Sequence, residues 1–145
     1  MFYTESKLSD VYDYIINNRG SAKRTVFDLK HLQEWLYWSY SNDYLFFSKK
    51  DGKVNGVIIV IPVGNFDKLP TIQELIQATN KHYSNETTDY FIMDALVDNS
   101  EIRLHIAKLI KERFPRMVTD AKTYVQKGSK IWIIEPKHNS NFTKY

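Results

Sequence analysis

The apolar positions of this chain change period several times, and each change marks an element. Leu8, Val11, Tyr12, Ile15 and Ile16 recur at the spacing that keeps side chains on one helical face, and Asn17-Asn18-Arg19-Gly20 supplies a stop. Leu32, Trp35, Leu36 and Ser39 form the inward stripe of a second helix, which Asp28 is suited to cap and Ser41-Asn42-Asp43 ends. Two extended runs follow, Tyr44-Leu45-Phe46-Phe47-Ser48 and the stretch from Val54 to Val63. Between them Lys49-Lys50-Asp51-Gly52-Lys53 places Asp-Gly where a hairpin turn needs positive φ. Pro62 falls near the end of the second run, where a missing ladder donor is tolerated.

Thr71-Ile72-Gln73-Glu74, after Pro70, has the spacing of a capping box and predicts a short helix running toward Tyr83. Beyond the polar stretch from Ser84 to Thr88, Tyr90 to Val97 reads as a buried strand. Asp98-Asn99-Ser100 then caps a long helix carrying Ile102, Ile106, Leu109, Ile110 and Phe114, which Pro115 closes. Met117 to Gln126 fits either a strand or a poor helix. Lys130 to Ile134 is a strand ended by Glu135-Pro136, so a final hairpin turns at Lys127-Gly128-Ser129. The pattern predicts one α/β (α+β) domain over residues 1–136, with a mostly antiparallel sheet flanked by helices, and a polar tail over 137–145.

Composition narrows the chemistry. A chain of 145 residues, 43% hydrophobic, is long enough for one core. It has no cysteine, which excludes disulfides, thiolate zinc sites and a cysteine nucleophile. His31, His82, His105 and His138 are too scattered for a metal-ligand spacing, so no metal is expected. The opening residues lack the pattern of a secretory leader and no stretch is apolar enough for a membrane span, so a cytoplasmic protein is expected. The triplets Asn85-Glu86-Thr87 and Asn141-Phe142-Thr143 then read as chance matches to glycosylation acceptors. Net charge is +3, with Arg116, Lys122, Lys127, Lys130, Lys137 and Lys144 concentrating the basic excess at the C-terminal end. A solvated lysine-rich surface is the plain explanation; a face for an acidic partner, a phosphate-bearing ligand or nucleic acid is the other. Nucleic acid is not the expected partner, because Lys122, Tyr124, Lys127, Lys130 and Trp132 give only a sparse mixture of basic and stacking residues. Frequent Asn, Lys, Ile and Tyr is a usage common in AT-rich genomes, those of phages included, which would put the protein in a host cytoplasm or a virion.

The order of elements from about Asp28 to Ile134 resembles the GNAT acyltransferase superfamily. Tyr44-Leu45-Phe46-Phe47 through Asp51-Gly52-Lys53-Val54-Asn55-Gly56-Val57-Ile58 looks like the second and third strands of that fold, and Tyr90 to Phe114 looks like its fourth strand and following helix. A further similarity runs from Phe91-Ile92-Met93-Asp94 to Lys111-Glu112-Arg113-Phe114-Pro115, toward the toxin-activating lysine acyltransferases. Those enzymes carry a His ahead of the hairpin, where this chain has Lys23-Arg24-Thr25 and, farther on, His31. The GNAT resemblance implies transfer of an acyl group from acyl-CoA or an acyl carrier protein to an amine. It also implies a glycine-rich turn whose bare N–H groups hold the coenzyme A pyrophosphate. The corresponding run here, Val97 to Ile106, contains no glycine. Leu104 and Ile106 stand at the glycine positions, where they are expected to crowd the phosphates, and Asp98 and Glu101 add negative charge.

On this resemblance Asp94, the one acidic residue inside the apolar strand Tyr90 to Val97, is the candidate general base, and Tyr124 is the candidate acid for the leaving thiolate. Phe91, Met93, Ala95, Val97 and Ser100 are the candidate cofactor-binding positions. The plainer readings are that Asp94 caps, bonds a neighbouring backbone donor or faces solvent at a strand bulge, and that Tyr124 is one tyrosine among ten. Trp38 and Tyr40, on an aromatic second helix, are candidates for anchoring a protein partner, as exposed aromatics do, with core packing as the alternative. A catalytically silent, protein-binding domain of the same fold is the second functional expectation.

Overall fold

Every residue of the second strand from Gly56 to Gly64 is buried, so both faces of the sheet are covered along that length. The computed structural model describes residues 6–19, 31–79, 81, 88–127 and 130–136. Within them the elements are α1 (Ser6–Arg19), α2 (Leu32–Ser41), β1 (Leu45–Lys50), β2 (Lys53–Gly64), α3 (Ile72–Ala78), β3 (Asp89–Val97), α4 (Ser100–Arg113), a 3-10 turn (Pro115–Val118), β4 (Thr123–Lys127) and β5 (Lys130–Ile134). This is an α/β domain, and its described residues include a sheet with the strand order β1-β2-β3-β4-β5. All neighbours run antiparallel except β3 and β4, which are parallel.

Local chemistry explains several element ends. At the β1–β2 turn Asp51 and Gly52 both adopt positive φ, 54° and 78°, as a tight hairpin requires. The capping box at α3 is complete: Thr71 Oγ1 accepts from Glu74 N at 3.2 Å, while Thr71 N donates to Glu74 Oε1 at 2.9 Å. Pro62 lies beyond the last β1–β2 pair, Leu45 with Ile59, so no donor is missed on that side of the strand.

Other boundaries differ from expectation. Helix α2 begins at Leu32 with His31 as its N-cap and no side-chain cap bond, and Asp28 lies outside the described residues. Helix α3 ends at Ala78 rather than near Tyr83, with Thr79 as its C-cap; residues 82–87 are outside the described set. The ambiguous stretch after Phe114 is a 3-10 turn followed by a strand, because Pro115 starts a new turn and Ala121 N then closes it on Arg116 O at 2.8 Å. Residues 128–129 of the final turn and the tail 137–145 are outside the described residues, as is the Lys23-Arg24-Thr25 segment.

An aromatic series runs through the core beside α4. Phe114, fully buried, has its ring centroid 4.8 Å from Tyr90, 6.1 Å from Phe46 and 6.2 Å from Tyr44, and Tyr44 in turn lies 5.5 Å edge-on from Trp38. The Arg113 guanidinium sits 4.5 Å over the Phe114 ring. Burial raises the Tyr44 and Tyr90 phenols above their ordinary range; Arg113 works against this at Tyr44, and Arg116 and Arg113 do so at Tyr90.

Candidate functional site

The one parallel junction of the sheet is a wedge, closed at its base by polar contacts. Lys122 N donates to Asp89 Oδ1 at 2.9 Å, and Tyr90 N donates to Lys122 O at 3.0 Å. Arg116 holds the same end by donating from Nη1 to Thr88 O at 2.7 Å while its Nε pairs with Asp120 at 3.0 Å. These bonds bring the start of β4 against the start of β3, and the ladder runs through Tyr90–Thr123, Phe91–Tyr124 and Ile92–Val125.

The β3–β4 register ends at Ile92, although β3 continues to Val97. At the same point β3 carries a bulge: Ile59 is opposite Asp94 and Val60 is opposite Ile92, so Met93 is the extra residue. A bulge bends its strand and increases the local twist, and here it coincides with the end of the β4 ladder. Ala95 is exposed although β3 is the central strand of the sheet, and Leu96 and Val97 are only half-buried. The β3–β4 ladder therefore stops short of the turn that leads into α4.

That turn is heavily bonded within the protein. Asp98 N donates to Asn55 O at 3.0 Å, and the Tyr14 hydroxyl donates to Asp98 Oδ1 at 2.9 Å while lying 3.2 Å from Asn55 O. The Tyr14 phenol is raised well above its ordinary range, first by burial and then by the hydrogen bond and charge of Asp98. Asn99 is the N-cap of α4, its Oδ1 accepting from Ile102 N at 3.0 Å, so an orphan donor of the helix start is already satisfied.

Behind the turn, α4 lies close against β2 at Gly56. A Cβ there would stand 2.7 Å from Ile102 Cγ2, 2.8 Å from Ile106 Cδ1 and 3.1 Å from Val97 Cγ1. Ile106 is fully buried in this contact, so it faces the sheet and does not crowd the mouth of the turn as expected. Leu104 is half-buried, and Glu101 and Ser100 are exposed.

The candidate residues divide accordingly. Asp94 lies in β3 opposite Ile59, immediately after the bulged Met93. Tyr124 pairs with Phe91 at the closed end of the wedge and is 1% exposed, with Phe66 edge-on at 5.7 Å. Its phenol is pushed up to about 12 by burial, with Asp89 and Glu135 adding to the shift. Phe91 and Met93 are buried core residues, and Phe91 is engaged in the β4 register, so of the cofactor-binding candidates Ala95, Val97 and Ser100 are the ones toward the open end. Trp38 and Tyr40 are both half-buried and pack on the core; Tyr37, at 50% exposure, is the accessible aromatic of α2.

Sequence reading missed Tyr14 and the Asp89 and Arg116 contacts at the wedge base, whereas the strand bulge that was one plain reading of Asp94 falls at the preceding residue, Met93. Tyr14 carried a faint signal, since it adjoins the apolar face of α1 and buried tyrosines usually find a hydroxyl partner. The others involve partners far apart in the chain. Among the described residues no cluster of three His, Asp or Glu is placed to hold a metal, and no helix is long and apolar enough to cross a membrane. Compared with family models, curated proteins and solved structures, the chain matches none.

Proposed function

We propose that this domain is a divergent GNAT-like acyltransferase that moves an acyl group from a thioester carrier to an amine. The observation that carries the reading is the end of the β3–β4 register at Ile92, beside the bulge. A pantetheine arm is an extended chain with two amides, suited to pairing with a strand as a peptide does. The segment Met93 to Val97 offers it such a strand beyond the β4 register.

In this reading Asp94 takes a proton from the acceptor ammonium, the free amine attacks the thioester carbonyl, and the thiolate leaves with the proton that the new amide nitrogen gives up, passed through water because Tyr124 is buried within the β3–β4 ladder. Ala95, Val97 and Ser100 line the path of the arm. The start of α4 offers an anion little, with Asn99 occupying a donor and Asp98 and Glu101 adding charge of the wrong sign. That favours an acyl carrier protein over free acyl-CoA, because a carrier-borne arm has no pyrophosphate to place. The cytoplasm, where both donors occur, is the proposed location.

Thermal melting with a long-chain acyl carrier protein and with acetyl-CoA tests this. A donor at one hundred times its dissociation constant stabilises by about 2.7 kcal/mol. The expected result is a rise in melting temperature with the carrier protein, abolished in Ala95→Trp, whose ligand-free melting stays as in the parent. No shift with saturating carrier protein or millimolar acetyl-CoA would overturn the reading.

The second reading, a protein-binding domain, is favoured by α2. An open cavity of about 330 Å³ is lined by His31, Glu34, Trp35 and Trp38, with the two indoles edge-to-face at 5.5 Å, and Tyr37 is exposed nearby on the same helix. A stoichiometric partner that co-purifies with the parent and is lost from Tyr37→Ala would select it.

A further inference from the structure

A cavity of about 330 Å³ lies between the start of β1 and the last turn of α4, lined among the described residues by Asp43, Leu45, Phe46, Phe47, Leu109 and Arg113. That is the lower end of the range for small-ligand sites, about 300–1,000 Å³. Two opposite charges meet it. The Arg113 guanidinium lies 4.5 Å over the fully buried Phe114 ring, and among the described residues it makes no hydrogen bond or ion pair. Stacking of this kind holds the guanidinium plane and leaves its edge of N–H donors for an acceptor. Asp43 ends α2 in a Schellman arrangement, in which Asp43 N donates to Tyr40 O at 3.1 Å and Tyr44 N donates to Ser39 O at 2.8 Å. Its φ of 61° is the left-handed value at which glycine is the usual residue. Its carboxylate also stands at the negative end of a helix whose last turn holds no basic residue. It is exposed and, among the described residues, has no ion-pair partner. Glycine would close α2 without that charge; a cation in the cavity gives the charge a partner.

We propose that this cavity binds an α-amino acid with an apolar side chain. Arg113 takes the carboxylate through its N–H edge, Asp43 takes the ammonium, and the side chain lies against Leu45, Phe47 and Leu109. Charge complementarity chooses this occupant. A fatty acid, or the C-terminal carboxylate of a peptide, would satisfy Arg113 and be repelled by Asp43. A simple amine would do the reverse, whereas a zwitterion answers both groups. Asp43 and Arg113 are not within ion-pair distance of one another, so a ligand that bridges them breaks no existing pair. None of the residues assigned to acyl transfer lines the cavity, and the proposal stands apart from that reading.

Titration of the full chain, followed by amide NMR signals, tests the proposal. L-leucine is the probe, beside isocaproate, which is leucine without its ammonium, and L-leucinamide, which lacks the carboxylate. L-leucine should move the signals of Leu45 to Phe47 and of the last turn of α4 saturably, and each analogue should bind at least tenfold more weakly. Arg113→Met, which keeps an apolar cover on Phe114, should weaken L-leucine at least tenfold. Asp43→Asn, which suits the left-handed position, should do the same while binding isocaproate no worse than the parent does. Should Arg113→Met not fold, the reversed preference of Asp43→Asn makes the test by itself. The absence of saturable shifts with tens of millimolar L-leucine and L-phenylalanine would overturn the proposal. So would equal binding of L-leucine and isocaproate by the parent.

Discussion

The Tyr14 hydroxyl donates to Asp98 Oδ1 over 2.9 Å, joining residues 84 positions apart and tying α1 to the turn that opens α4. The bond joins a nearly buried phenol to an exposed carboxylate that water can re-solvate. Removing it in Tyr14→Phe should therefore cost about 1 kcal/mol, in the range of a single net hydrogen bond. Urea unfolding should show a lower midpoint with an unchanged slope.

The buried tyrosines set the alkaline limit of the fold. Tyr124 is pushed up to about 12, and Tyr14, Tyr44 and Tyr90 are raised as well. A folded-state value above the unfolded one means the folded chain holds its proton more tightly. That contribution is complete below the ordinary phenol value of 10.0 and is lost as pH rises toward 12 through Tyr124. Unfolding free energy should thus be insensitive to these groups from pH 7 to 9 and fall above pH 10, each group adding at most about 1.4 kcal/mol per pH unit. In Tyr124→Phe the alkaline limb should be shallower, measured by urea unfolding at a series of pH values.

Gly56 is required by space, with ordinary backbone geometry. A methyl group there meets Ile102 and Ile106 below 3.0 Å, so Gly56→Ala should destabilise by about 1–3 kcal/mol, as overpacking does. Ile106→Val removes the Cδ1 atom that one of those contacts involves. The double variant should consequently be more stable than the sum of the single effects predicts, a coupling that a double-mutant cycle reads directly.

Phe114 is the centre of the aromatic series, in ring contact with Tyr44, Phe46 and Tyr90 and beneath Arg113. Phe114→Ala should cost about 3–5 kcal/mol, the cost of emptying a fully buried aromatic site. Phe114→Leu, which keeps most of the volume, should cost much less. Thermal melting of the two variants distinguishes loss of packing from a general intolerance at this position.

The elements that sequence made legible are those whose decisive contacts are short in the chain. Asp51-Gly52, the Thr71–Glu74 capping box and the Asn99 cap each involve partners within four residues, so composition and spacing suffice to find them. The apolar character of β2, β3 and α4 was equally plain, because burial on one or both faces leaves a periodic trace. Aromatic content on α2 was visible too, but which ring is exposed was not: Tyr37 and Trp38 are adjacent, and the packing of Tyr44 decides between them.

The candidate site belongs to the other category. Nothing local in Asp89 or Lys122 announces that they clamp β4 parallel to β3, and a carboxylate inside an apolar strand hints at a bulge without fixing it at Met93. Ile106 shows the same limit, since its place in the chain suggested the mouth of the turn and its side chain instead fills the space that Gly56 leaves against α4. By itself, the sequence determined the elements, their caps and their inward faces, through interactions between near neighbours. Only the tertiary structure decided where the β3–β4 ladder ends and which carboxylate Tyr14 meets, because each depends on segments brought together by closing long loops around a shared core.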